Sequence, residues 1–284
     1  MADDDPGLPP TVDPFVPHVA RVWNVQLGGK DNFAVDRAAA RALNEAYARV
    51  GAPGGDAVAV ENRRFIGRAV RYLAGEAGID QFLDIGSGLP SQGNVHEVAR
   101  EVNPAARTVY VDNDPLVLTH GRVLLADDDT SIIVNRDMYD PGSILDDPDL
   151  RAMIDLDRPV AVLIVAMLHL IPDAARPEAI VAHIRDALAP GSYLALTHTT
   201  SEHRPEAAAA LAQEFTRLGI NTPMVPRSVE QISRFFAGFD LVEPGLISPA
   251  AWRPELTPAP APAPVPDTRW MLAGVGCLSE VSRP

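Results

Sequence analysis

A short apolar run that ends in an acid and opens into paired glycines, Phe82-Leu83-Asp84-Ile85-Gly86-Ser87-Gly88-Leu89-Pro90, restricts this chain more than any other stretch. Glycines placed where a strand stops and a helix begins can take φ > 0 and let backbone approach a ligand with no Cβ in the way. That is the ligand cradle of an open α/β sheet. The dinucleotide fingerprint is not met, because Leu89-Pro90-Ser91 supplies no third glycine and Asp84 lies inside the motif. A carboxylate there repels a pyrophosphate and favours a ligand carrying an ammonium group.

The pattern around this turn fits such a sheet. Strands are expected at 81–85, 108–111, 131–134, 159–168 and 192–197, alternating with helices at 57–74, 95–102, from about 116, and at 177–188. The segment 159–168 is apolar enough for a central parallel strand covered on both faces. Helices at 205–218 and 228–236 precede two closing strands, 239–247 and 270–278, which have no helix between them and therefore predict an antiparallel hairpin on a mostly parallel sheet. The Pro-Ala run 257–266 suits neither helix nor ladder and is expected to be an extended connector.

Ahead of the sheet, residues 1–17 are Asp- and Pro-rich and read as a mobile arm. Helices at 19–27 and 36–50 stop at Gly28-Gly29 and at Gly51-Ala52-Pro53-Gly54-Gly55 and predict a helical cap. The division is thus 1–55 for arm and cap, and 56–284 for the ligand-binding domain. Lys30 is the single lysine among 24 basic residues, and the segment 21–33, with its glycine pair, reads as a lid over the ligand.

Three acids each end a successive strand on the same sheet edge, which is where open α/β sheets bind ligands: Asp84, Asp112 and Asp137. Asp112, followed by Asn113, lies 28 residues beyond Asp84 and is placed to accept both hydroxyls of a ribose. Asp114, just before Pro115, suits the N-cap of the next helix. Asp137 with Met138 would suit an adenine, the carboxylate accepting from the exocyclic amine and the thioether packing on the ring. On the helix before the turn, Arg63 could hold a carboxylate in bidentate fashion, or else Arg63 or Arg64 pairs with Glu61.

The formal net charge of −14 opposes broad contact with nucleic acid or an anionic bilayer and leaves a small-molecule substrate as the expected partner. The oligomeric state is open. No apolar run has the length of a membrane span, the acidic start is unlike a secretory signal, and the one cysteine, Cys277, reads as core filler in a reducing compartment. A cytoplasmic protein with no bound metal is expected.

Taken together, Arg21 to Arg37 with Leu27-Gly28-Gly29-Lys30-Asp31-Asn32-Phe33, Asn62-Arg63, the block Asp84 to His96 and Asp112-Asn113-Asp114-Pro115 resemble an actinobacterial S-adenosyl methyltransferase family long described as a domain of unknown function, within the class I methyltransferases. The resemblance implies a Rossmann-like sheet and S-adenosylmethionine (SAM), whose ammonium matches the acid at 84. It gives Asp84, Gly86, Ser87 and Gly88, with Arg63, the methionine end of SAM. It gives Asp112 and Asn113 the ribose, Asp137 and Met138 the adenine, and lines the cofactor with Ala166, Met167 and His169.

Methyl transfer requires mainly alignment and a dry pocket, with a base only where the acceptor must lose a proton. His169 and His198 follow the fourth and fifth strands and are candidate bases, each with the plainer alternative of a hydrogen-bonded structural histidine. Two other functions share these features: a SAM-binding sensor without turnover and a NAD-dependent oxidoreductase.

Overall fold

The computed structural model describes residues 12–91, 93–258 and 270–279. In chain order the elements are α1 (Val19–Gln26), α2 (Ala34–Arg49), α3 (Gly55–Gly75), β1 (Gln81–Ile85), α4 (Val95–Val102), β2 (Arg107–Asp112), α5 (Pro115–Leu124), β3 (Ser131–Asn135), α6 (Pro141–Leu145) and α7 (Pro148–Met153). They continue through β4 (Ala161–Val165), α8 (Pro177–Asp186), β5 (Tyr193–Thr199), α9 (Pro205–Arg217), α10 (Val229–Ser233), β6 (Phe239–Leu241) and β7 (Met271–Leu278). One seven-stranded sheet has the order β3-β2-β1-β4-β5-β7-β6, with β7 antiparallel to both neighbours and all other pairs parallel. The chain winds outward through β1, β2 and β3 and then returns to start again at β4. A crevice therefore opens beyond the carboxyl ends of β1 and β4.

Side-chain alternation sorts each strand between two cores. Leu83 and Ile85, Val162 and Ile164, and Leu194 and Leu196 bury against α6, α7 and α8 on one face. Phe82, Leu163 and Ala195 bury against α3 and α4 on the other. A period of two puts Asp84 on the same face as Phe82, toward α3, and this is why an arginine of α3 meets it. Trp252, fully buried, closes that core edge-on to Phe65 and Tyr72 at 5.4 and 5.9 Å between ring centroids. Burial of each such ring contributes about 1.5–3 kcal/mol.

A third core belongs to the cap. Val22 of α1 and Ala39, Ala40 and Leu43 of α2 pack with Ala208, Leu211 and Phe215 of α9 and with Ile220, Met224 and Trp270. The cap core is thus built jointly with residues well beyond 55. Of the arm expected over 1–17, residues 1–11 lie outside the described residues, while Val12 is buried with Leu89, Leu116 and Val117. The connector expected at 257–266 lies outside them from 259 onward.

Several expectations on secondary structure change. The strand expected over 159–168 spans only Ala161–Val165, since Ala166 turns left-handed at φ +57°, and the strand expected over 192–197 runs on to Thr199, so His198 lies within β5 rather than after it. The strand expected over 239–247 stops at Leu241, because Pro244 has no N–H for the ladder and Gly245 turns the chain at φ +86°. Pairing resumes only at Ile247, which bridges Ala273. The helix expected over 228–236 is a single α turn capped by Ser228 and Gln231, followed by a 3₁₀ turn at Arg234–Phe236. Among the described residues no helix is long and apolar enough to cross a membrane, and no cluster of His, Cys, Asp or Glu could hold a metal ion.

Candidate functional site

The glycine turn after β1 is fastened to the end of β2. Gly86 and Ser87 donate to the Val111 carbonyl at 2.8 and 3.3 Å, and Gly88 N–H donates to Asp112 Oδ2 at 2.9 Å. Gly86 has φ +76°, and a Cβ there would collide with the Met167 side chain; Gly88 has φ +66° with open space where a Cβ would stand. Asp112 also accepts from Asp114 N–H at 2.9 Å, so each of its oxygens holds one backbone donor and keeps a second lone pair free for a ligand. Asp114 caps α5 through Leu116 N–H at 2.7 Å, and its other oxygen lies 2.8 Å from His18 Nδ1 at the start of α1.

Asp84 is 7% exposed. Burial pushes its carboxyl up to about 7; the neighbouring Arg63 guanidinium pulls the other way, and Asp112 adds to the rise. Burial also lowers the Arg63 pKa, against the pull of Asp84. The Glu61 pairing falls to Arg68 at 2.9 Å and Arg64 at 3.4 Å, which leaves Arg63 for Asp84. At the far end Asp137 accepts from Asn113 Nδ2 at 3.1 Å and Tyr139 N–H at 2.9 Å, with Met138 buried beside it. Arg136, which also lines the cavity, pairs with Asp147 at 2.7 Å.

The turn after β4 is strained. Ala166 has φ +57°, a left-handed conformation that costs a residue with a Cβ roughly 1–2 kcal/mol. Its N–H donates to Thr197 Oγ1 at 2.9 Å, and that hydroxyl donates to Asn62 Oδ1 at 2.6 Å, so β5 and α3 together hold the turn. The turn carries Met167 over Gly86 and sets His169 against the cavity.

That cavity, of about 240 Å³, runs along the whole carboxyl edge. Arg63, Asp84, Gly86, Ser87, Gly88, Asp112, Asn113, Asp137, Met138, Ala166, Met167 and His169 all line it. Beyond β4 it continues over Thr199 and Met271, roofed by Trp23 of α1, Leu27 at its C-cap, Tyr47 of α2 and Phe215 of α9. The segment 21–33, expected as a lid, contains Trp23 and Leu27, but sequence reasoning missed Tyr47, Thr199, Phe215 and Met271, as well as Asn62 as the anchor of the 166 turn.

The two histidines part company. His198 is fully buried and outside the lining. Arg227 Nη1 can only donate, so at 2.9 Å it fixes His198 Nε2 as an acceptor, and Nδ1–H must donate to the Thr199 carbonyl at 2.7 Å. With both nitrogens occupied, His198 has no lone pair for a substrate proton, and its expected role as a base is corrected to a structural one. His169 lines the cavity, 5% exposed, with Nδ1 unpartnered among the described residues. Burial, and then Arg227, lower its pKa to about 3, so it is a neutral imidazole at physiological pH rather than the near-unperturbed base expected. Arg227, 1% exposed, also ties down the Leu168 and Ile171 carbonyls and pairs with Asp173.

The segment expected as a lid is stapled. Arg21 pairs with Asp36 at 3.1 Å and donates to the carbonyls of Asp13 and Val16, while Asn32 donates to Asn24 Oδ1 at 2.9 Å and to the Gly29 carbonyl at 3.0 Å. Lys30 is exposed and does not line the cavity.

A family model described as S-adenosyl methyltransferase matches residues 7–279. Among solved structures, a candidate methyltransferase from Thermobifida fusca is 46% identical, with 95% of this chain and 98% of that chain covered and a TM-score of 0.84. A DUF574 family protein from Streptomyces avermitilis is 38% identical, covering 92% and 97%, with a TM-score of 0.82. An O-methyltransferase family protein from Burkholderia thailandensis, 13% identical over 79% of this chain and 60% of that chain with a TM-score of 0.51, shares the fold. No curated protein matches.

Proposed function

The chain belongs to the S-adenosyl methyltransferase family, and from that premise we propose that it methylates a small-molecule acceptor held over β4 and β5, with SAM lying across β1, β2 and β3. The observation that carries this reading is the single cavity with two unlike halves, strand-end carboxylates at one end and an apolar roof at the other.

The residues present fit SAM. Gly88 leaves open space where a Cβ would stand, and Ser87 Oγ is buried in the turn with no partner among the described residues, a donor and acceptor left for a ligand. Asp84 would face the ammonium and Arg63 the carboxylate of the methionine end. Asp112 would accept the ribose hydroxyls, and Asp137 with Met138 would hold the adenine. When bound, SAM supplies a methyl group on a sulfonium, whose carbon–sulfur bond breaks with its electron pair left on sulfur.

The protein's own contribution is alignment and exclusion of water. Trp23 and Leu27 close the cavity from above, the Ala166 turn fixes the floor, and His169 offers the acceptor an uncharged hydrogen-bonding nitrogen at the junction of the two halves.

Calorimetry tests the cofactor half. Asp112→Ala is expected to weaken SAM binding by about 1.5–3 kcal/mol through lost bonds to a charged acceptor, with unchanged circular dichroism. Wild-type affinity in that variant would take Asp112 out of the site. Labelled SAM incubated with the protein and a small-molecule extract tests turnover, and binding without any labelled product would make the protein a sensor.

A further inference from the structure

The acceptor half of the cavity differs from the cofactor half in charge. Arg63, Asp84, Asp112 and Asp137 lie on the β3-β2-β1 side. Past β4 the lining is Trp23, Leu27, Tyr47, Phe215, Met224 and Met271, with neutral polar groups only: Asn24, Asn221, Thr222 and Thr199, besides His169. Burial pushes the Tyr47 hydroxyl up to about 12, so it stays protonated. Thr222 Oγ1 and His169 Nδ1 are both buried without a partner among the described residues. Two unanswered polar atoms in an otherwise apolar wall mark where a bound molecule must present a donor and acceptor of its own.

We propose that the acceptor is an uncharged, largely aromatic molecule bearing a hydroxyl group, seated between Trp23 and Phe215 with that hydroxyl directed to His169. The proposal rests on the methyltransferase reading and deepens it. His18 and Arg136, the basic side chains that line the cavity besides Arg63 and His169, are taken by Asp114 and Asp147, so an acceptor with a carboxylate or phosphate would bury its charge with no uncommitted cationic side chain to meet it. An amine fits less well than a hydroxyl for a reason of sign. Methylation of an alkylamine leaves an ammonium that keeps its charge at physiological pH beside His169, where burial and the Arg227 guanidinium already hold off a proton. Asp173, which pairs with Arg227, is largely exposed and offsets that field only in part. Transfer to oxygen ends in a neutral ether: a lone pair on the hydroxyl oxygen forms the bond to the methyl carbon, the carbon–sulfur pair returns to sulfur, and the resulting oxonium, a far stronger acid than an alkylammonium, gives its proton to water.

The test uses the full chain saturated with S-adenosylhomocysteine and three probes of similar shape, 2-naphthol, 2-naphthylmethylamine and 2-naphthoate, measured by calorimetry. The naphthol is expected to bind at least about 10-fold more tightly than the naphthoate. Trp23→Ala should weaken naphthol binding by about 10-fold or more. A parallel variant, Leu27→Ala, guards against a misfolded cap by asking for the same direction of change. Labelled SAM should place the methyl group on the naphthol oxygen in preference to the naphthylmethylamine nitrogen. Naphthoate binding as well as the naphthol, undetectable binding of all three, preferential N-methylation, or naphthol affinity untouched by both cap variants would each overturn the proposal. Failure of SAM itself to bind would instead overturn the methyltransferase reading, and that titration is run first.

Discussion

Asp84 is under two opposed demands. Its folded pKa of about 7 lies above the value of about 3.9 that an unfolded chain would give it. Between those values the folded state keeps a proton that the unfolded state has lost, so this group's contribution is favourable below about pH 4 and is lost as pH rises through about 7. Buried His169 has the opposite sign: its neutral form costs nothing above about pH 6.5, and stability is lost as pH falls toward 3. An ammonium ligand beside Asp84 favours the ionised carboxylate, so SAM affinity should rise with pH up to about 7 and then level off. Asp84→Asn is expected to stabilise the unliganded protein at pH 8 by about 2–4 kcal/mol, while weakening SAM on the order of 100-fold and flattening the pH dependence of affinity. Denaturant melts and titrations of both proteins from pH 5 to 8 check this. A variant less stable than wild type at pH 8 would mean that the carboxylate is better paired in the fold than its burial allows.

Among the elements, α1 has the most exacting attachment. Arg21 and Asp36 are 3% and 0% exposed, and Asp36 also accepts the backbone N–H groups of His18 and Phe33. Arg21→Ala would leave that carboxylate buried without its cation, a loss of about 3–5 kcal/mol. Because the core that α1 and α2 share with α9 is separate from the two cores of the sheet, the damage should be local: limited proteolysis should open 12–33 while the sheet stays resistant, and SAM and acceptor affinity should both fall. Cleavage spreading through the sheet at the same rate would mean that cap and sheet unfold as one unit. The strands and their terminal acids were legible because alternation, β-branched runs and an acid before a turn are local patterns. Asp114 as a cap was legible for the same reason. The helices at 141–153 carried a usable signal in Asp140-Pro141 and Asp147-Pro148, each an N-cap followed by proline at the first helical position. Arg227 carried none: an arginine between Pro226 and Ser228 reads as a surface loop, and only tertiary contact makes it the buried donor that decides the fate of His198. The joint core of α2 and α9 brings together residues far apart in sequence, so no window along the chain could display it.

At the scale of the whole molecule, the sheet order sets one crevice, and the cavity there draws its wall from the cap, from α3, from the turns after β1 to β5 and from α9. A ligand filling it touches parts that otherwise belong to separate cores, so binding should tighten the cap onto the sheet rather than stabilise the glycine turn alone. Saturation with SAM at a hundred times its Kd contributes about 2.7 kcal/mol, which for a chain of this size corresponds to a rise in Tm of roughly 5–10 °C. Hydrogen exchange shows where that energy acts. Slowed exchange is expected at 86–88, where backbone N–H groups fix the turn to β2, and also at 19–27 and 215–224, which contain the roof residues Trp23, Leu27, Phe215 and Met224. Adding the naphthol to the S-adenosylhomocysteine complex should slow 19–27 further while leaving 86–88 unchanged, since it fills only the half beyond β4. Protection confined to 86–88 under both ligands would separate the cap from the binding wall and leave the apolar roof with no part in recognition.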